Sequence, residues 1–323
     1  MHRVMNSDIP EESDHVVQGT SVDAATSRES AARLGYIADP FIKHFVRQPQ
    51  RRAPLINRGT YARFAGVQRT LQSFVMATPA GQVVVLGSGL DTSYFLLASQ
   101  GLRAQRYFEI DFAEVNAKKA STVYKKPDLR SLLPQDIRVA AGGSELHSSG
   151  YCMLSGDLRR FREEVVPKMQ EHGFDLEAPT LFVSECVLIY LDPKHSDDIL
   201  DWITESVPDA AVLTYEQILP NDRFGQMMIE NLRSRHIELK GLMAYPDLES
   251  TRARFLNRKW ESAKAIDLYD YHQKCISSEE LARLAQIEFM DEWEEFSLLT
   301  RHYAFTFAFT TKKSLFAQFD MFL

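Results

Sequence analysis

The 323 residues are 45% hydrophobic and 25% charged, ordinary values for a globular chain and enough to bury a large core. A net charge of −7 argues against a dominant nucleic-acid or anionic-membrane footprint, and no apolar run is long enough to span a bilayer. The three cysteines, Cys152, Cys186 and Cys275, are odd in number and far apart, so a cytoplasmic, reducing setting without a disulfide framework is expected.

Residues 1–20 are polar, lack an apolar signal-peptide core and show little periodicity, which predicts a disordered tail. The remainder, 21–323, is expected to form a single domain. The stretch Gly19 to Leu34 reads as a helix, with Thr20 or Asp23 as its cap. A shorter helical piece follows at Phe41–Val46, then a basic, proline-flanked connection at Arg47–Pro54. In Arg58–Val75 the residues Tyr61, Phe64, Val67, Leu71 and Phe74 recur at three- and four-residue steps and make an apolar stripe. Arg63 lies about 200° round the helix from Tyr61, so position alone reads it as a solvated arginine. Residues 21–75 together are expected to form a helical lid.

The chain is organised around Val83-Val-Val-Leu-Gly-Ser-Gly-Leu-Asp-Thr92. Four apolar residues without alternation predict a strand buried on both faces. Gly87 and Gly89 permit a tight turn and close backbone approach, and the apolar content of a helix follows from Thr92. Strand, glycine turn and helix in this order place a ligand at the carboxyl end of the strand. Arg106–Asp111 is a second short strand whose terminal acid falls 22 residues after Gly89. That acid fits either a ribose-binding carboxylate or a helix cap.

The passage Lys126–Gly150 is rich in Pro, Gly and Ser and predicts loop with one short strand. Tyr151–Asp157, Pro179–Glu185 and Ala210–Glu216 are the next strands, with helices at Phe161–Met169 and Pro193–Val207 between them. A mostly helical insertion is expected at 218–283, followed by closing strands at Gln286–Asp291 and His302–Thr310. The alternation predicts a doubly wound α/β sheet of seven strands, mostly parallel with an antiparallel last strand. Asp111, Asp157 and Glu185 then line one rim.

Several chemistries are poorly served by that rim. No Cys-x-x-Cys or His-Glu-x-x-His accompanies the acids, so no metal site is expected, and no Gly-x-Ser-x-Gly supplies a serine nucleophile. The glycine pattern lacks the third glycine of the dinucleotide fingerprint. The remaining candidate is the class I S-adenosylmethionine-dependent methyltransferase sheet, at this point by analogy of fold.

Specific blocks carry a closer resemblance. They include Gly35-Tyr-x-x-Asp-Pro40, Ala53-Pro-x-Ile-Asn-Arg-Gly59, Leu86-Gly-Ser-Gly-Leu-Asp-Thr92 and Tyr107-Phe-Glu-Ile-Asp-Phe112. Gly156-Asp-Leu-Arg159, Glu185-Cys-Val-Leu-x-Tyr190 and Asp222-Arg-Phe-Gly-Gln-Met-Met-Ile-Glu-Asn-Leu-Arg233 follow in order. From about Leu34 to Phe309 the sequence resembles the leucine carboxyl methyltransferase family, which esterifies the C-terminal leucine of type 2A protein phosphatase catalytic subunits.

The resemblance implies S-adenosyl-L-methionine as cofactor, with contacts at Gly87, Gly89, Asp111, Asp157, Leu158 and Glu185. It implies that Arg63 reaches both cofactor and substrate, against the solvated reading, and that Tyr190 stands near the substrate carboxylate. Where the family often has lysine in the N-terminal helix, this chain has Arg28, a planar fork in place of a point charge. The implied partner is the C-terminal tail of the phosphatase catalytic subunit, with no nucleic acid, no membrane and a monomeric enzyme. A related branch modifies a tRNA base and carries a long C-terminal propeller, for which this chain leaves no room. The alternatives are a methyltransferase of small-molecule carboxylates or hydroxyls, and a phosphatase-binding relative without catalysis.

Overall fold

The structure is a computed structural model that describes residues 12–310 and Phe316. Its strands are β1 (Gln82–Leu86), β2 (Arg106–Asp111), β3 (Arg138–Ala140), β4 (Glu145–His147), β5 (Tyr151–Ser155), β6 (Thr180–Glu185), β7 (Ala210–Gln217), β8 (Ser262–Asp267) and β9 (Tyr303–Phe309). The helices are α1 (Glu12–Arg33), α2 (Pro54–Ala77), α3 (Ser93–Ser99), α4 (Ala113–Lys125), α5 (Pro127–Arg130) and α6 (Val166–Glu171). They continue with α7 (Pro193–Ser206), α8 (Arg223–Arg233), α9 (Leu248–Leu256), α10 (Leu268–Lys274), α11 (Ser278–Ile287) and α12 (Trp293–Arg301).

The strands form one sheet in the order β3-β4-β5-β2-β1-β6-β7-β9-β8. The centre, β5-β2-β1-β6-β7, is parallel throughout. Both flanks are antiparallel. From β1 the chain crosses to β2 on one side and later to β6 on the other, which makes the end of β1 the switch point of the sheet. Val83 and Val85 pack under α2 and α3 on one face, while Val84 and Leu86 pack against α6 and α7 on the other. The run of apolar residues without alternation is therefore a strand with two covered faces.

The mostly parallel α/β architecture stands as expected, with four differences of detail. The sheet has nine described strands because Lys126–Gly150 holds two short ones, and the expected helical insertion contains β8, whose backbone completes the edge of β9. Gln286–Asp291 is not a strand: it is the end of α11 and a loop, and its alternation leaves Phe289 84% exposed with no face to cover it. The tail expected at 1–20 lies outside the described residues up to position 11, but from Glu12 it is helix α1. That polar stretch is ordered by polar partners, because Asp14 pairs with Arg159 at 2.8 Å and the buried Gln18 donates to Glu114 of α4 at 3.5 Å. Among the described residues no helix is long and apolar enough to cross a membrane.

Candidate active site

Both glycines of the turn after β1 have positive φ, +66° at Gly87 and +52° at Gly89. A Cβ on Gly87 would come within 2.4 Å of Val187 in the loop leaving β6, so the position excludes any side chain twice over. Gly89 donates its backbone N–H to Asp111 Oδ2 at 2.6 Å, which locks the turn to the tip of β2. Burial pushes the Asp111 carboxyl up, against the N–H bonds from Gly89 and Phe112 that favour its charge.

A cavity of about 1360 Å³ opens over these strand ends. The structure brings every expected site residue to its wall: Arg28, Arg63, Gly87, Gly89, Asp111, Asp157, Leu158, Glu185 and Tyr190. Helix α1 closes one side, from Asp14 to Arg28, and Ser21 lies against Gly89.

Arg63 is not a solvated residue. Its Nε donates to Glu185 Oε2 at 2.7 Å and its guanidinium lies 4.9 Å from the centre of the Tyr215 ring. Burial disfavours its charge, but Glu185 outweighs that and raises its pKa, so the group is a fixed cation. The apolar stripe beside it is where the spacing placed it, with Tyr61, Val67, Leu71 and Phe74 buried and Phe64 half-buried.

Arg28 is a second fixed cation. Its Nε donates to Asp39 at 2.7 Å and its Nη1 to Asp91 at 2.6 Å, while Nη2 is buried with no hydrogen-bond partner among the described residues. Two carboxylates on one fork exploit a geometry that lysine lacks. Asp91 is held below its usual range: burial opposes its charge, but Arg28 and Lys119 prevail.

Asp157 stands at the opposite end with its carboxylate already engaged. Arg159 donates to it from Nε and Nη2, at 2.9 and 2.7 Å, and from its backbone N–H at 2.8 Å. The same guanidinium reaches Asp14 of α1 at 2.8 Å, so an Asp–Arg–Asp chain straps the helix across the cavity.

Tyr190 ends a one-turn helix, Leu188–Tyr190, that follows β6, and its hydroxyl stands beside Thr20 of α1. Burial raises its pKa, as it does for Tyr215, and pushes Tyr303 and the Cys186 thiol up to about 12. These four groups stay protonated at neutral pH. Among the described residues no cluster of His, Cys, Asp and Glu has the makings of a metal site.

Sequence reasoning missed Asp39, Asp91, Arg159 and Asp14. Asp39, Asp91 and Arg159 lay inside blocks already singled out, whereas Asp14 sat in a stretch whose only visible property was polarity.

The family described as leucine carboxyl methyltransferase matches residues 16–204. Leucine carboxyl methyltransferase 1 of Bos taurus is 37% identical over 300 residues, covering 91% of this chain and 90% of its own. tRNA wybutosine-synthesizing protein 4 of Homo sapiens is 35% identical over 295 residues, covering 89% of this chain but 43% of its own. Among solved structures, a DUF574 family protein from Streptomyces avermitilis superposes with a TM-score of 0.53 at 10% identity, covering 88% of this chain and 97% of its own, a likeness of fold alone.

Proposed function

The chain belongs to the leucine carboxyl methyltransferase family, and on that premise we propose that it esterifies the C-terminal leucine carboxylate of a type 2A protein phosphatase catalytic subunit. The family's cofactor is S-adenosyl-L-methionine, and the donor set of the cavity fits it. Arg28, with its unpartnered buried Nη2, and Arg63 would hold the carboxylate of the amino-acid portion. Gly87 and Gly89 give the backbone approach that portion needs, Asp111 would take the ribose hydroxyls, and Asp157 with Leu158 would take the adenine end. Ligand cavities usually measure about 300–1,000 Å³. At about 1360 Å³ this one also has room for the end of an acceptor chain.

Bound there, the cofactor supplies a methyl group on a positively charged sulfur. The observation that carries the choice of acceptor is the fixed Arg63 cation beside tyrosines and a thiol that burial keeps protonated. A hydroxyl acceptor must lose a proton; around Arg63, none of Tyr190, Tyr215, Tyr303 and Cys186 is ionised to take it, and Glu185 is engaged by Arg63 itself. A terminal carboxylate, with a pKa of about 3.3–3.7, arrives ionised and needs no base. Arg63 and Tyr190 then orient it, and α1 excludes water from a step in which opposite charges neutralise each other. A net charge of −7 favours this reading over a tRNA acceptor, whose phosphates would be repelled.

The test uses S-adenosylmethionine carrying a labelled methyl group. Intact phosphatase catalytic subunit, the same subunit lacking its last residue, an amidated C-terminal peptide and free small carboxylic acids are compared by base-labile label release. Labelling of the intact subunit alone is the expected result. Equal labelling of the truncated subunit, or faster reaction of a small acid, refutes the phosphatase assignment. Cofactor binding without transfer to any of them refutes the carboxylate acceptor and leaves a hydroxyl acceptor or a non-catalytic relative.

A further inference from the structure

Glu185 and Tyr190 lie at the two ends of one six-residue segment, and the backbone between them is strained. Cys186 has φ +55°, a left-handed conformation that side chains with a Cβ rarely adopt. Such a residue persists only where its surroundings hold it. The restraints are few and specific. Cys186 N–H donates to Tyr215 O at 2.7 Å, and Gly241 N–H donates to Ile189 O at 2.9 Å. Between them, Glu216 Oε1 accepts from the backbone N–H of Val187 at 3.3 Å and of Leu188 at 3.1 Å.

We propose that Glu216 is a positioning residue for methyl transfer: its carboxylate, reaching from β7, fixes the backbone of Val187 and Leu188 and so sets where Glu185 and Tyr190 stand in the cavity. It rests on the assignment of those two residues to the active site. Glu216 itself does not line the large cavity. Its hydrogen bonds toward the site are those to the loop, while its β7 neighbours Tyr215 and Gln217 line the cavity themselves.

The surroundings make that hold sensitive to protons. Burial pushes the Glu216 carboxyl up to about 7, against the N–H bonds of the loop and the charge of Arg254. Cys186 and Tyr190 of the loop lie within electrostatic reach of it, both protonated at neutral pH. From α9 comes Arg254, whose Nε is bonded to Asp197 of α7 at 2.8 Å and whose Nη2 is bonded to Ser196 at 2.7 Å. β9 places Ala304 opposite it in register. Oε2 has no hydrogen-bond partner among the described residues, so a proton has a vacant oxygen to occupy. The ionised form is the stronger acceptor, hence the loop is held best above pH 7.

The experiment compares the full chain with its Glu216→Gln and Glu216→Asp variants. Hydrogen exchange at the Val187–Tyr190 amides reads the loop without any substrate, and should speed at least tenfold in both. Calorimetry with S-adenosylmethionine should show weaker binding in step. With a methyl acceptor in hand, wild-type kcat should rise between pH 6 and 8 while the Gln variant stays flat, with KM little changed. Unaltered exchange at these amides in a folded Glu216→Gln protein overturns the proposal, whatever the acceptor proves to be. Faster exchange with unaltered cofactor binding and kcat retires Glu185 and Tyr190 as site residues and the positioning role with them. If no tested carboxylate is methylated while exchange and cofactor binding shift together, the acceptor assignment fails and the positioning role stands.

Discussion

Arg63 on α2 and Glu185 at the tip of β6 meet at 2.7 Å, and the Tyr215 ring of β7 lies under the same guanidinium. One cation thus joins α2 to two central strands at the cavity wall. Arg63→Ala should abolish methyl transfer and leave the protein folded, because the side chain is outside the apolar stripe that packs α2 on the sheet. Arg63→Lys should restore little, since a point charge cannot hold Glu185 and present a second donor face together. Turnover within tenfold of wild type in Arg63→Ala, measured with circular dichroism to confirm folding, would refute the central role given to this arginine.

At the other end of the cavity, Asp157→Ala should weaken S-adenosylmethionine binding by about ten- to a hundredfold, the worth of a lost charge-assisted hydrogen bond of roughly 1.5–3 kcal/mol. Asp14→Asn should leave the adenine end intact but loosen the strap, because Arg159 then keeps Asp157 and loses α1. Both association and dissociation of the cofactor should quicken in that variant, with a smaller change in affinity than in Asp157→Ala. Stopped-flow rates equal to those of wild type would show that α1 does not govern entry.

How much of this was legible in the sequence depended on which force shaped each part. The β1 strand, the glycine turn and the acids at the ends of β2 and β6 were readable because burial and backbone geometry leave local marks. The parallel run of the sheet's centre followed from helices alternating with strands, but the order of its strands did not. By contrast, α1 begins at Glu12 because Asp14 and Gln18 find partners more than ninety positions away, and no local pattern records that. Position alone misread Arg63 for a related reason, and only the family resemblance pointed to it: a residue outside an apolar stripe faces water or a cavity, and only the fold decides which. The edge strand β8 was lost among helices since Ser262–Asp267 has only Ala263 and Asp267 buried, too weak an alternation to register. Phe289 shows the converse, a residue type typical of strands in a stretch that has no sheet to join.

The buried pair Lys119–Glu109 is an independent check on the central sheet. The two charges meet at 2.6 Å with neither side chain exposed, and Tyr151 donates to Glu109 at 2.9 Å. Removing one partner of such a pair leaves an uncompensated charge and typically costs about 3–5 kcal/mol. Lys119→Met should therefore destabilise strongly, and Lys119→Met with Glu109→Leu should recover much of the loss. Urea denaturation in which the double variant is no more stable than Lys119→Met would contradict the pairing.

The last expectation concerns pH and sets stability against activity. The folded-state pKa of Glu216 is about 7, raised from its ordinary value of 4.5, and the residue is only 9% exposed. A raised carboxyl pKa means that, between those two values, the folded protein keeps a proton that the unfolded chain has released. Stability is therefore greatest at the acid end of that window and falls as pH rises through it. The full loss above pH 7 is on the order of 3 kcal/mol at 1.36 kcal/mol per pKa unit. Other carboxylates contribute slopes of their own, so the quantity to measure is the difference between wild type and Glu216→Gln in urea unfolding at pH 5 and pH 8. The Gln variant should gain on wild type at pH 8 relative to pH 5, even as its loop amides exchange faster. This opposition separates the positioning role from a structural one, in which losing the carboxylate would cost stability and loop order together. A Gln variant that loses as much stability at pH 8 as at pH 5 would show that the buried carboxylate ionises without strain.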